Sequence, residues 1–273
     1  MIPPFVDAGW VVSHRDSLVI ADVRWYLDGR SGRDAFAKGH IPDAVFVDLD
    51  EMLAGEPGHG RGRHPLPEPA DFAVAMSRSG IADDSIVVAY DDVGGVIAAR
   101  LVWMLRATGH DSAVLDGGLD AYPSDPETGV SRRYLARFTP REWPSELLAG
   151  PDDLTGPEVL LLDARDPERF RGAHEPVDPK PGHIPGAFNL PCRANLGPDG
   201  SLLPAESLRR RFEEAGVSTA ASVVSYCGSG VTACHNLLAM ELCGLGAGRL
   251  YPGSWSQYCS LEGMPVEQGD PQR

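Results

Sequence analysis

The chain has 273 residues, of which 42% are hydrophobic and 23% are charged, a composition typical of folded globular proteins. It carries 39 Asp and Glu residues against 24 Lys and Arg, and its formal net charge of −15 disfavours binding to nucleic acid. No apolar run approaches the roughly 20 residues that a membrane helix needs, and the N-terminus has no secretory signal pattern. We therefore expect a cytoplasmic protein that binds neither nucleic acid nor a membrane.

The cysteines do not have the pattern of a disulfide framework. Their number is odd and no two of them stand in a Cys-x-x-Cys arrangement. No Cys and His spacing resembles a zinc site either, so we expect reduced thiols, no metal and no cofactor. The five cysteines are Cys192, Cys227, Cys234, Cys243 and Cys259.

The sequence repeats itself once along the chain. Each copy alternates apolar strand-like runs with helical patterns, which predicts two α/β domains, each with a mainly parallel sheet flanked by helices. Each copy also contains Asp-x-Arg after its first long strand, followed by Gly-His-Ile-Pro, which we interpret as a structural turn. The matching segments are 19–24 and 160–165, 38–49 and 181–191, 68–81 and 203–217, 85–110 and 222–246, and 114–122 and 250–258.

The repeat also predicts the domain boundaries. We place an N-terminal domain at 1–125 and a C-terminal domain at 151–273. The segment 126–150 between them is rich in Pro, Gly and charged residues, which is typical of a linker that packs along the surface.

The second copy has Cys227 where the first has Asp91. An apolar run over 222–226 predicts a buried strand before this cysteine, and apolar spacing after Gly230 predicts a helix. Ligand sites of parallel α/β sheets lie at the carboxyl ends of the strands. Since the first copy shows that the fold does not need a thiol here, we interpret Cys227 as a nucleophile. A buried structural cysteine is the alternative.

Two glycines, Gly228 and Gly230, follow the cysteine. They are predicted to let the backbone curl so that successive N–H groups point inward. Together with the dipole of the following helix, these donors favour a negative charge, as on a thiolate. The first copy has lost the cysteine, so only the second is expected to be catalytic.

With its two α/β copies, the paired Asp-x-Arg and Gly-His-Ile-Pro segments, and the loop CGSGVT at 227–232, the chain resembles the rhodanese-type sulfurtransferases over nearly its whole length. In that family the loop C-R-K-G-V-T is typical of enzymes that use thiosulfate. Here Gly228 and Ser229 replace the two cationic positions, and the loop is similar to that of the 3-mercaptopyruvate enzymes.

The resemblance implies substrate-binding residues. Arg169 is expected to hold the carboxylate of 3-mercaptopyruvate, and the backbone of the loop, Gly228, Gly230, Val231 and Thr232, to hold the reacting sulfur. The second substrate arginine of the 3-mercaptopyruvate enzymes has no counterpart in 173–183, where only Lys180 offers a cation. Lysine is a point charge and lacks the planar fork of arginine.

The resemblance further implies a triad-like relay that joins Ser229 to His64 and Asp50. Ser229 would donate a hydrogen bond to the ketone oxygen of the donor as an enolate develops. His64 and Asp50 would orient the serine. The alternative for His64 is a structural contact at the domain interface.

These expectations describe a ping-pong reaction, in which Cys227 takes a sulfur atom from a small-molecule donor and passes it to an acceptor. The acceptor would be thioredoxin, a small thiol or cyanide. Three alternatives remain. One is transfer from thiosulfate, and another is a non-enzymatic persulfide carrier or interaction module. The third is a phosphatase of the Cys-x5-Arg type, which is disfavoured because Ala233 stands where the arginine is required.

Overall fold

Runs of Val, Ile and Leu form the buried strands of two separate sheets in the computed structural model, which describes residues 1–131, 134–156 and 158–270. The chain divides into two compact units. The first contains 1–55, 66–143 and 197–202, and the second contains 56–65, 144–196 and 203–273. Residues 132, 133, 157 and 271–273, which fall in the predicted linker and second domain, lie outside the described residues.

The first unit has a five-stranded sheet in the order β1-β5-β4-β2-β3, and all of its strand pairs are parallel. Helices flank the sheet, and a buried apolar core that includes Ile20, Val88 and Tyr90 lies against it. The strands are β1 (Phe5–Val6), β2 (Leu18–Asp22), β3 (Val45–Phe46), β4 (Ile86–Tyr90) and β5 (Ser112–Leu115). The helices are α1 (Ala8–Ser13), α2 (Gly32–Lys38), α3 (Leu49–Met52), α4 (Pro69–Arg78) and α5 (Ala99–Ala107).

The second unit has a four-stranded parallel sheet in the order β7-β6-β8-β9. Leu148 makes an isolated parallel bridge to Leu250 beside β9, where the first unit has β1. The strands are β6 (Leu160–Asp163), β7 (Phe188–Asn189), β8 (Val223–Tyr226) and β9 (Arg249–Leu250). The helices are α6 (Pro167–Phe170), α7 (Ala205–Glu214), α8 (Ala233–Leu242) and α9 (Ser254–Tyr258).

The prediction of two α/β domains with parallel sheets and flanking helices is confirmed. Neither unit is a continuous stretch of chain, because 56–65 belongs to the second unit and 197–202 to the first. The predicted boundaries at 125 and 151 stay predictions.

The Asp-x-Arg segments make the same contacts in both units. Arg24 donates to Asp22 at 2.6 Å and to the Gly39 carbonyl at 2.7 Å. Arg165 donates to Asp163 at 2.6 Å and to the Gly182 carbonyl at 2.7 Å. Each buried ion pair therefore ties the end of a central strand to the start of its Gly-His-Ile-Pro turn.

The histidines of these turns are buried in equivalent packing. His40 stacks on Phe36 with ring centroids 3.8 Å apart, and its Nδ1 is 2.8 Å from the Phe36 carbonyl. His183 stacks on Phe170 at 3.7 Å and makes the same contact with the Phe170 carbonyl. These contacts agree with a structural role for the turns.

Within the described residues, none of the helices is both long and apolar enough to cross a membrane.

Candidate active site

Cys227 follows directly after β8, at the carboxyl end of a central strand of the second unit. Only 2% of it is exposed. Its Sγ accepts a hydrogen bond from the backbone N–H of Gly230 at 3.1 Å. Its own N–H donates to Ser254 Oγ at 3.1 Å, and its carbonyl accepts from the Trp255 N–H at 3.0 Å. The sulfur is thus held in a fixed position, with a backbone donor directed at it.

The two loop glycines are needed for different reasons. Gly230 has φ of 76°, and a β-carbon there would lie 2.3 Å from the Pro252 carbonyl oxygen. Gly228 does not adopt a left-handed φ, so its role differs from that of Gly230. A β-carbon on Gly228 would lie 3.0 Å from Nη2 of Arg63 and 3.4 Å from Nη1 of Arg169. Gly228 leaves room for two guanidinium groups beside the nucleophile.

The last two residues of the loop lead into α8. Val231 is 4% exposed and packs into the core. Thr232, which directly precedes α8, lies near the thiol of Cys192, and this thiol is buried close to Cys227. Burial raises the pKa of Cys192 to about 12, and the neighbouring Cys227 adds to the increase. Cys192 therefore remains a neutral thiol beside the site.

Ser229 and His64 form a hydrogen bond within the second unit. The distance from Ser229 Oγ to His64 Nδ1 is 2.7 Å, and each residue is 7% exposed. His64 belongs to segment 56–65, which packs with the second unit although it lies far from the loop in sequence. Two members of the predicted relay are therefore in direct contact.

Asp50 lies in the first unit, in the short helix α3. One of its carboxylate oxygens accepts a hydrogen bond from the indole N–H of Trp25 at 2.9 Å. The neighbouring Asp48 is the N-cap of this helix and accepts from the N–H groups of Asp50 and Glu51. The role of Asp50 as third member of the relay stays a prediction.

Arg169, at the end of α6, is held by two carboxylates. Its guanidinium donates to Glu175 at 2.7 and 3.1 Å and to Asp178 at 3.1 Å. Burial opposes the ionisation of Glu175, but the hydrogen bonds from Arg169 and from two backbone N–H groups outweigh it and lower its pKa. The guanidinium of Arg169 also borders Gly228, so the predicted substrate arginine lies beside the nucleophile loop.

Sequence reasoning missed Arg63. Its Nη1 forms a short ion pair with Asp178, and its backbone N–H donates to Ser256 Oγ at 3.1 Å. These contacts place the guanidinium against Gly228. Segment 173–183 lacks a second arginine, whereas segment 56–65 provides one next to His64. The signal in the sequence was the basic pattern Arg61-x-Arg63 directly before His64 in an otherwise acidic chain.

Ser254 was also missed. It has φ of 50°, an unusual conformation for a residue other than glycine, and its Oγ accepts from the Cys227 N–H and donates to the Tyr251 carbonyl at 2.8 Å. The repeat aligns it with Gly118, which has φ of 62°. The sequence offered one sign of this conformation, since Ser254 stands where the first copy has Gly118.

All five cysteines are free and buried. In the described part of the chain, no group of three or more His, Cys, Asp or Glu side chains is arranged to hold a metal ion.

Comparison with known proteins identifies the family. The rhodanese-like domain model matches residues 7–125 and again 145–261, so the chain belongs to the rhodanese family and carries two copies of its domain. Sulfurtransferases of this family resemble the chain over most of its length, and the protein is an enzyme of that class. The resemblance inferred from the loop and the repeat is confirmed. A non-enzymatic role finds no support among these relatives.

Individual relatives differ in the donor that their names give. SseB of Mycobacterium tuberculosis, provisionally named a thiosulfate sulfurtransferase, is 42% identical over 264 residues, covering 93% of this chain and 92% of SseB. A Pseudomonas aeruginosa protein, provisionally named a 3-mercaptopyruvate sulfurtransferase, is 41% identical over 270 residues, covering 93% of both chains.

Among solved structures, 3-mercaptopyruvate sulfurtransferase from Leishmania major has a TM-score of 0.87 and 33% identity, covering 97% of this chain and 76% of that one. The likeness therefore extends from sequence to fold.

Proposed function

We propose that this sulfurtransferase takes its sulfur from 3-mercaptopyruvate, carries it as a persulfide on Cys227 and releases pyruvate. The observation that supports this most strongly is the environment of Cys227. Its Sγ lies at the end of β8 with the Gly230 N–H directed at it, next to two guanidinium groups. An anion-binding loop of this kind stabilises both a thiolate and the persulfide anion that replaces it.

The first half-reaction forms a sulfur–sulfur bond and breaks a carbon–sulfur bond. The Cys227 thiolate attacks the sulfur of the donor, and the electron pair of the carbon–sulfur bond passes to carbon, giving the enolate of pyruvate. The proton of the donor thiol ends on that carbon, so that pyruvate leaves and Cys227 is left as a persulfide anion. Arg169 would hold the donor carboxylate during this step.

Ser229 would assist the departure of the enolate. Its hydroxyl is held by His64 at 2.7 Å and stands two residues after the nucleophile, a position from which it can donate to the ketone oxygen as charge develops there. Asp50 would complete the relay by orienting His64, as the resemblance implies.

In the second half-reaction an acceptor thiolate attacks the outer sulfur of the persulfide and regenerates the Cys227 thiolate. A small thiol, thioredoxin or cyanide would serve, since each offers a nucleophile for sulfur. The five free cysteines and the need for a reduced nucleophile fit a reducing compartment such as the cytoplasm.

Thiosulfate is a second candidate donor, and one observation favours it. The loop itself is neutral at Gly228 and Ser229, but Arg63 and Arg169 bring two guanidinium groups to the same place. Cationic side chains therefore lie beside the loop although none belongs to it, and the charge of the loop alone does not disfavour a dianionic donor. The provisional donor of the SseB relative points the same way.

Steady-state turnover with each donor, using cyanide as acceptor, tests the proposal. We expect kcat/KM to be higher for 3-mercaptopyruvate than for thiosulfate, and Cys227→Ala to abolish turnover of both. Cys243→Ala is the matched control, because Cys243 is a buried thiol at the far end of α8, and it should retain activity. A preference for thiosulfate would reject the proposed donor, and activity in Cys227→Ala would reject the nucleophile.

A further inference from the structure

Two arginines of the second unit approach the nucleophile loop from different segments of the chain. Arg63 comes from 56–65 and Arg169 from the end of α6. Measured from a β-carbon placed on Gly228, Nη2 of Arg63 is 3.0 Å away, and the two terminal nitrogens of Arg169 are 3.4 and 3.6 Å away. Both guanidinium groups therefore border the residue next to Cys227.

Asp178 joins these two arginines. One of its carboxylate oxygens pairs with Arg63 and the other accepts from Arg169 at 3.1 Å, while its side chain is only 2% exposed. Burial raises the pKa of Asp178 and the nearby Glu175 adds to this, against the opposing effect of the two arginines. The carboxylate is thus a desolvated bridge that fixes the distance between two cations.

The ion pairs around this bridge balance in charge. A third arginine, Arg165, joins the cluster because Glu175 contacts it as well as Arg169. Each of the three guanidinium groups contacts at least one carboxylate. Three positive and three negative charges leave the cluster neutral before any donor binds. Its members are Arg63, Arg165, Arg169, Asp163, Glu175 and Asp178.

We propose that Arg63 is the second donor-binding arginine of this enzyme, and that Asp178 is a positioning residue that limits the donor to a single negative charge. This inference rests on the proposed function, because it assigns the donor subsite of the same reaction. Segment 173–183 contains no arginine, and Arg63, which lies beside the loop in space, would instead bind the donor together with Arg169.

The approach of the two arginines explains why residue 228 is a glycine. A side chain at that position would occupy the space in which the two guanidinium groups approach the loop. With glycine there, Arg63 and Arg169 present N–H groups from two sides to an anion held beside Cys227, and the planar fork of arginine suits a carboxylate.

The charge balance explains the selectivity. Because the carboxylates offset the guanidinium groups, the cluster has no net positive charge to offset a donor, and its carboxylates repel the dianion thiosulfate about twice as strongly as a monoanion. Asp178→Asn removes one negative charge with little change in shape. Because the electrostatic gain scales with the charge of the donor, the variant should help the dianion more than the monoanion.

The test compares kcat and KM for 3-mercaptopyruvate and thiosulfate in Arg63→Gln, Arg63→Lys and Asp178→Asn. Arg61→Gln is the matched control, since Arg61 is an exposed arginine of the same segment. We expect Arg63→Gln to raise KM for both donors about 10-fold with a smaller change in kcat, and Arg63→Lys to be intermediate because it keeps the charge but not the fork. Arg61→Gln should match the wild type.

For Asp178→Asn we expect kcat/KM to rise about 10-fold for 3-mercaptopyruvate and about 100-fold for thiosulfate, because the gain in transition-state free energy should be twice as large for a donor with twice the charge. An equal effect on both donors would overturn the role of Asp178. A KM for Arg63→Gln no different from that of Arg61→Gln would overturn the role of Arg63.

A second measurement does not depend on sulfur transfer. The rates at which iodoacetate and iodoacetamide alkylate Cys227, located by peptide mass mapping, give a ratio that reports the local preference for a carboxylate. This ratio should fall in Arg63→Gln, rise in Asp178→Asn and stay unchanged in Arg61→Gln.

If the wild type used neither donor, the proposed function would fail, while this ratio would still decide whether Arg63 and Asp178 form an anion subsite. A ratio that is the same in all four proteins would overturn the inference even if the enzyme were active.

Discussion

The loops that contain Asp91 and Cys227 occupy equivalent positions in the two units and hold different groups. In the first unit the Asp91 carboxylate accepts hydrogen bonds from four backbone N–H groups, those of Val93, Gly95, Ile97 and Ala98, at 2.7 to 3.0 Å. In the second unit the loop surrounds a thiol that accepts one N–H, from Gly230. The first loop is filled by the carboxyl group of Asp91, whereas the second has a nucleophile at the same place.

The scaffold around the two loops is nevertheless shared. The carbonyl of Asp91 accepts from the N–H of Leu119 at 2.9 Å, and that of Cys227 accepts from Trp255 at 3.0 Å. Gly94 and Gly230 are equivalent by the repeat and have φ of 81° and 76°. In each unit the strand–loop–helix corner forms a cradle that directs backbone N–H groups at the residue in its first position, and that residue decides whether the cradle is structural or reactive.

The largest expected effect on stability comes from removing the Asp91 carboxyl group from the cradle of the first unit. Asp91→Ala leaves four N–H groups, three of them buried, without their acceptor and should lower the free energy of unfolding by about 4 kcal/mol. Asp91→Asn keeps one acceptor oxygen and should cost about half as much. Asp92→Ala, at the exposed neighbour that accepts from Tyr26, is the control and should cost less than about 1 kcal/mol. Chemical denaturation measures all three, and equal losses at the two aspartates would contradict the cradle.

The next effect comes from the left-handed glycine of the second cradle. Gly230→Ala adds a β-carbon 2.3 Å from a backbone carbonyl oxygen and should cost about 3 kcal/mol and most of the activity. Gly186→Ala is matched in φ, at 76°, but nothing lies within 4 Å of its β-carbon, so it should cost only about 1 kcal/mol. Similar losses in the two variants would show that the close approach to Pro252 is unimportant.

A smaller effect concerns the serine that only the second loop carries, since Val93 takes its place in the first. Ser229→Ala and His64→Ala should each lower kcat about 30-fold, or about 2 kcal/mol, because either change breaks the same 2.7 Å hydrogen bond. The double variant should be no slower than the singles, as expected for groups that act as a unit. Additive losses in steady-state kinetics would separate His64 from Ser229.

The smallest expected effect on stability concerns Ser254, whose counterpart in the first unit is Gly118. Ser254→Gly loses the hydrogen bond to Cys227 but relieves a left-handed φ of 50°, so its stability should stay close to that of the wild type. Ser254→Ala loses the bond and keeps the strain, and should be about 1 kcal/mol less stable than Ser254→Gly. Thermal unfolding of the pair gives this difference directly, and its absence would mean that the backbone here is not strained.

The sequence predicts the fold because its two copies repeat four strands and the two longest helices of each unit, and buried pairs such as Asp22 with Arg24 recur as Asp163 with Arg165. It also predicts the position of Cys227, since a thiol between a buried strand and a glycine-rich loop is a local feature.

Arg63 was not predictable in the same way. Its place beside Gly228 depends on segment 56–65 packing with the second unit, a long-range contact that no local pattern reports. The conformation of Ser254 depends likewise on tertiary contacts, because serine alone has little preference for a left-handed φ. In both cases what was missing was the spatial neighbour, while the residue type itself was visible in the sequence.

The central claim, that Cys227 carries the transferred sulfur, is tested most directly by mass spectrometry. The protein is incubated with 3-mercaptopyruvate without an acceptor, and its intact mass and peptide map are measured before and after cyanide is added. We predict a gain of one sulfur atom on the peptide that contains Cys227, lost on addition of cyanide as an equal amount of thiocyanate appears. Pyruvate release with no sulfur on Cys227, or with the sulfur on another cysteine, would contradict the account.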